Sequence, residues 1–246
     1  MKWVLGYIGA LCVLVLIISQ SIIIPTFFMP FFNWHYTRTD KAGITVAQDI
    51  GISHDDLMYV TTELLSYMRG NRDSLDGVNV TVLGNRGRGV RTLGENFFSP
   101  TEIRHMVDVK DLYTLLYKSR GVAFFLLIAV ILAMKLIYTS PVYMLLRCSR
   151  EVLVGFLGIG LIVGVLCAVN FEYAWDIFHH IFFRGDSAKF WLLIPYSDLM
   201  INLFPLHFFI YISVFFAVLV IAFSMVILVG GSVYLHFNKD KISRLL

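Results

Sequence analysis

Long apolar runs recur along the chain, separated by polar stretches of unequal length. The first covers residues 3–24, the second 121–146, the third 152–171 and the fourth 208–234. A helix needs about 20 residues to cross a bilayer core, so each run is read as a membrane-spanning helix. The first run is long, and no small-residue cleavage site follows it, which predicts a retained helix rather than a signal peptide. Ser140-Pro141 interrupts the second run, and Lys135 lies about a turn before that break, where its stem can carry the ammonium to the interface. The pattern predicts an α-helical membrane protein of four transmembrane helices.

The polar stretches give the rest of the organisation. Residues 1–24 are the first transmembrane helix, 25–120 a small α+β extracytoplasmic domain of helix, β-hairpin and capped helix, and 121–146 the second transmembrane helix; 147–171 form a cytoplasmic turn and the third helix. A second outer loop follows at 172–207, and 208–246 hold the fourth helix with a cytoplasmic tail. Arg147 and Arg150 lie in the connection between the second and third runs, and Lys239, Lys241 and Arg244 lie in the tail. By the positive-inside rule these ends face the cytoplasm, and Lys2 agrees. The stretch 25–120 exceeds the length over which that rule counts charges. Both long loops are therefore expected outside.

In the first outer loop, residues 25–36 are rich in Phe and Trp and read as an interfacial aromatic segment. Ser53 before His54-Asp55-Asp56 has the form of an N-cap, and Gly70-Asn71 of a stop, so a helix is expected over 54–69. His54 in its first turn reads as solvated. Val78-Asn79-Val80-Thr81-Val82 alternates like a half-buried strand, and Gly84-Asn85-Arg86-Gly87-Arg88-Gly89 turns it back as a β-hairpin. Arg86, Arg88 and Arg91 are available there for acidic lipid headgroups. Ser99-Pro100-Thr101-Glu102 combines an N-cap, a proline at the first helical position and a capping-box glutamate. The helix that follows places Glu102, His105, Met106, Val109 and Leu112 on one face, with Arg104, Asp108 and Asp111 on the other. His105 is thus expected on the buried side. Its bland reading is a hydrogen-bonded core histidine. Glu102 is accounted for by the cap and Asp108 by an i,i+4 pair with Arg104, though either carboxylate could orient His105.

The second outer loop sets Asp176, His179 and His180 among large apolar residues just beyond the third run. Ionisable groups in that position are costly unless used or paired. Taken as a helix at 100° per residue, Glu172, Asp176 and His179 fall within about 60° of one another, with His180 at the edge of the stripe. That phase favours His179 over His180 as the inward residue, with Asp176 as a partner that could fix its tautomer. The remainder, 184–205, is short, aromatic and dotted with polar groups, as in a re-entrant or interfacial segment. Asp198 can cap a turn over 199–204. His207 reads as an interfacial anchor.

Composition agrees with this pattern: of 246 residues, 58% are hydrophobic and 15% charged, outside the range of soluble domains. The net charge of +3 is dispersed, so no nucleic-acid partner is expected. Cys12, Cys148 and Cys167 lie within the apolar runs or at their cytoplasmic end, without metal-ligand spacing and outside both outer loops. A cysteine nucleophile on the outer face is excluded.

Glu102-Ile103-Arg104-His105-Met106-Val107-Asp108-Val109 and Phe178-His179-His180-Ile181-Phe182-Phe183, followed by Trp191, Pro195, Asp198, Ile201 and Leu203-Phe204-Pro205, resemble the signature blocks of a bacterial four-span family, the lipoprotein intramolecular transacylases (Lit). The stretch 184–189 and Leu206-His207 depart from the pattern. The resemblance implies an acyltransferase of the cell membrane, with its site on the extracytoplasmic side. It would move the sn-2 acyl chain of a diacylglyceryl-cysteine lipoprotein to the α-amino group of that cysteine, giving a lyso-form lipoprotein. The family's histidines map to His105 and His179. Because an imidazole titrates near neutrality, one is expected as base and the other as acid, with Glu102, Asp108 and Asp176 as supporting residues and Trp191 and Asp198 as substrate-binding candidates. The expected partners are the lipoprotein N-terminus and membrane lipid, the expected state is a monomer, and no cofactor or metal is implied.

Two other readings use the same residues. A metal-dependent membrane hydrolase would need His105, His179 and His180 as ligands, but adjacent histidines rarely chelate one ion and no His-Glu-x-x-His spacing exists. A non-enzymatic lipid- or partner-binding protein would use the histidines as core residues. A transporter lacks support from repeats or midplane charges.

Overall fold

In the computed structural model of the chain, the described residues are 2–80, 96–185, 189–193 and 198–238. They form helices α1 (Lys2–Phe27), α2 (Met29–Tyr36), α3 (Val46–Ile50), α4 (His54–Arg69), α5 (Pro100–Ile137), α6 (Pro141–Val169), α7 (Phe171–Phe182), α8 (Met200–Leu203) and α9 (Leu206–Phe237). Helices α1, α5, α6 and α9 are the four long and apolar enough to cross a membrane. The chain is a multi-pass membrane protein.

The chain divides into two compact units. One comprises Met1–Pro25, Leu115–Asn170 and Ser213–Leu246; the other comprises Thr26–Thr114 and Phe171–Ile212. In the first, α1 approaches its neighbours through glycines. A Cβ at Gly6 would lie 2.7 Å from Cys148 Sγ, and one at Gly9 would lie 2.7 Å from Leu145 Cδ1 and 3.3 Å from Val130 Cγ1. Small residues let helices pack closely where lipid offers no hydrophobic driving force. Tyr7 donates to Glu151 at 2.5 Å and Arg120 to Gln20 at 3.3 Å. The reverse surface of α6, including Ile159, Leu161, Ile162 and Leu166, is exposed and apolar, as a lipid-facing surface must be.

The second and third spans meet at 138–140, earlier than the expected turn at Arg147–Arg150. The physical reason is Pro141. It disfavours the helical conformation at Ser140, which adopts φ −135°, ψ 67°, and having no N–H it opens α6 without losing a bond. Arg147 and Arg150 accordingly sit in the first turns of α6, and Lys135 closes α5.

The second unit is built around α4. Ser53 Oγ accepts from Asp56 N at 3.0 Å, and Gly70 ends the helix at φ 81°, matching the expected cap and stop. Helix α2 lays Phe32 and Tyr36 into the core, and the Tyr36 hydroxyl bonds Thr61 Oγ1 at 2.8 Å. Helix α3, unforeseen, has a complete capping box from Thr45 and Gln48. Phe97 and Phe98, both buried, lead into α5.

The expected β-hairpin is not supported. Among the described residues there is no strand, only isolated antiparallel bridges Thr39–Thr45 and Asn79–Asn96. The single bridge at Asn79, beside Phe97 N donating to Val78 O at 2.7 Å, is no ladder. Thr81, Val82, the glycine-rich turn, and Arg86, Arg88 and Arg91 lie outside the described residues.

Candidate active site

Helix α5 begins as its sequence dictates. Ser99 Oγ accepts from Glu102 N at 3.2 Å, and Glu102 Oε2 accepts from Ser99 N at 2.6 Å, completing the capping box. The box does more than cap. Glu102 Oε1 also accepts from Met200 N at 2.5 Å, and Ser99 Oγ donates to Asp198 Oδ1 at 2.8 Å. One fully buried carboxylate thereby joins the start of α5 to the start of α8. Burial raises the Glu102 carboxyl above its ordinary range, and the Met200 and Ser99 N–H groups pull against that. Asp198, 6% exposed, lies in this clamp.

His105 is one turn beyond Glu102, outside the apolar stretch that begins at Gly121, and is 9% exposed. Its Nδ1 is buried without a hydrogen-bond partner. Burial, and secondarily the neighbouring His179, lower its pKa to about 4, so it is neutral at physiological pH.

Helix α7 brings His179 to the same place. It is the buried residue of α7, whereas His180 is exposed, as the helical phase anticipates. The His105 and His179 rings lie with centroids 6.3 Å apart at 28°. Phe183 packs on both, at 5.2 and 5.5 Å, and Trp175 meets His179 edge-on at 4.7 Å. Trp191 stacks on His179 at 4.7 Å and 29° and meets His180 at 5.4 Å.

His179 Nδ1 lies 2.8 Å from the Trp175 carbonyl oxygen. A carbonyl only accepts, so Nδ1 carries the proton, and in the neutral ring Nε2 keeps its lone pair. Burial lowers the His179 pKa, against opposing effects from the Trp175 bond and the Asp176 charge. Asp176 does not hydrogen-bond His179: its carboxylate lies 3.6 Å from His180 Nδ1, an i,i+4 pair. The tautomer expected from Asp176 is set by backbone instead. Likewise no Arg104–Asp108 pair forms. Arg104 lies 5.8 Å from the Phe190 ring centroid, and Asp108 Oδ2 is buried without a partner.

Sequence reasoning passed over His35. This α2 residue is 1% exposed, neither ring nitrogen has a partner, and burial followed by the charges of His207 and Arg38 lowers it to about 4. His207 stands 5.2 Å away, ring to ring, and Arg38 lies over Trp34 at 4.7 Å. Only the lone-imidazole signal in an apolar segment pointed there. His54 Nε2 meets Asn33 Oδ1 at 3.0 Å on the surface. Among the described residues, no three His, Cys, Asp or Glu side chains group to share a metal ion.

Comparison with known proteins bears on the fold and the family. The chain matches an uncharacterised protein of Aquifex aeolicus at 27% identity over 150 residues, 60% of this chain, and spans 62% of that relative's length. Its fold is similar to the in meso structure of the membrane integral lipoprotein intramolecular transacylase Lit from Bacillus cereus, with TM-score 0.70, 15% identity, and 99% of this chain and 98% of the other covered. A variant of that protein with one histidine replaced by alanine gives TM-score 0.68 at 15% identity, covering 98% and 96%. The profile of the family "Lipoprotein intramolecular transacylase Lit" matches residues 7–209. The chain belongs to the lipoprotein intramolecular transacylase (Lit) family.

Proposed function

We propose that this protein moves the sn-2 acyl chain of a diacylglyceryl-cysteine lipoprotein to the α-amino group of the same cysteine, on the extracytoplasmic side of the cell membrane. The observation that carries this reading is the pairing of His105 and His179 in an aromatic-walled site, with His179 holding a free Nε2 lone pair. Membership of the family supports the substrate class. The sidedness rests on Lys135, Arg147 and Arg150, which flank the turn at 138–140 and favour its cytoplasmic placement.

The chemistry runs through His179. The α-amino nitrogen attacks the sn-2 ester carbonyl while His179 Nε2 accepts the amine proton, and an N–C bond forms. The resulting imidazolium keeps its Nδ1 bond to Trp175 O and is favoured by the nearby Asp176 charge. As the intermediate collapses, the bond between the acyl carbon and the sn-2 glyceryl oxygen breaks and His179 returns the proton to that oxygen. Amide and sn-2 hydroxyl result, and no other reactant is needed. His105, held neutral, serves as a hydrogen-bonding partner to the sn-2 glyceryl oxygen, because a group with a pKa of about 4 does not retain the transferred proton near neutrality. Nucleophile and ester belong to one molecule, so positioning alone can contribute about 7–11 kcal/mol. Glu102 and Asp198 support the site by fixing where α5 starts.

The test is purified protein with a synthetic diacylated lipopeptide. Conversion to an N-acyl, lyso-glyceryl product in the wild type, and none in the His179→Ala or His105→Ala variants of unchanged unfolding temperature, is expected. Full conversion by either variant would exclude the histidine pair.

A further inference from the structure

We infer that the indole N–H of Trp191 is the hydrogen-bond donor that receives the acyl carbonyl oxygen as it becomes an oxyanion, an inference that rests on the transacylase reading. Trp191 Nε1 is buried and has no hydrogen-bond partner. An indole nitrogen is a donor only, and leaving such a donor buried and unmet costs about 1–3 kcal/mol. Unsatisfied buried donors are rare enough that each calls for an acceptor.

The surroundings of His179 narrow the choice of donor. His179 Nδ1 is committed to Trp175 O, His180 Nδ1 to Asp176 O at 2.9 Å, and the Phe183 N–H to His179 O at 2.8 Å. The buried ring nitrogens of this cluster without a partner are His105 Nδ1 and Trp191 Nε1. Trp191 is stacked on the imidazole that takes the amine proton, and Leu193 N donating to Trp191 O at 2.9 Å fixes a turn there. A carbonyl whose carbon is attacked beside His179 Nε2 therefore has an indole donor alongside. Aimed donors of this kind act in a water-poor site where developing charge has little other support.

The experiment compares wild-type protein, Trp191→Phe, and protein carrying β-(3-benzothienyl)alanine at 191, which keeps the indole shape but replaces N–H by sulfur. Each is assayed with the diacylated lipopeptide. The expected result is a fall in kcat of about 100-fold or more for both variants, with KM and the unfolding temperature unchanged. The benzothienyl protein retaining more than a third of wild-type kcat would overturn the inference while leaving the transacylase reading intact. A rise in KM at constant kcat would also overturn it, since Trp191 would then only pack substrate. Absence of conversion by the wild type would remove the transacylase reading and this inference with it.

Discussion

At the residue scale, the two histidines differ in how they can handle a proton. His179 has one nitrogen tied to backbone and one free lone pair, whereas His105 is held neutral by burial. In ¹⁵N spectra of ring-labelled protein, His105 should show no titration between pH 8 and 5. A midpoint near 6.5 would contradict the assigned roles. His180→Ala should lower activity less than tenfold, because His180 is exposed and paired with Asp176; inactivation matching that of His179→Ala would mean the wrong neighbour carries the chemistry. His35 gives a stability prediction whose sign follows from linkage. Its folded pKa, about 4, lies below its ordinary 6.5, so between those values the unfolded chain binds the extra proton and stability falls as pH drops. The effect is at most about 3 kcal/mol from this group. Thermal unfolding in detergent should therefore show a smaller loss between pH 6.5 and 4 for His35→Phe than for wild type, and an equal loss would contradict it.

At the element scale, the start of α5 is held by Glu102, and His105 inherits its position from that clamp. Glu102→Ala leaves the Ser99 and Met200 N–H groups buried without acceptors, a cost of about 1–3 kcal/mol for each. A lowered unfolding temperature together with reduced transfer is expected; an unchanged melting curve would show that the clamp is dispensable. The close approach of α1 to α6 predicts that Gly6→Val destabilises the membrane unit, since even its Cβ would overlap Cys148 Sγ. Both N-caps that the sequence announces, at Ser53 and Ser99, depend on bonds within three residues and are legible for that reason. The turn at 138–140 was misplaced because the apolar run continues past it, and only the backbone restriction imposed by Pro141 marks it. Asp176 was matched with His179 at i−3, although its i+4 neighbour His180 is equally close on the helix and is exposed, where a carboxylate prefers to remain.

At the whole-molecule scale, four apolar helices follow directly from run length, and their exposed apolar faces need lipid around them. The meeting of His105 and His179 could not follow from periodicity. Each wheel says that its histidine points inward, but 74 positions separate them, and only tertiary packing brings α5 and α7 together. The same limit hid His35, whose burial depends on His207 and Phe208 at the start of α9. The central claim is tested most directly by expressing this chain with one diacylated model lipoprotein and determining the N-terminal peptide by tandem mass spectrometry. One acyl group should have moved from glycerol to the α-amino nitrogen with no change in total acyl mass. An unmodified amine, or an amide accompanied by the mass of an added acyl chain, would contradict it.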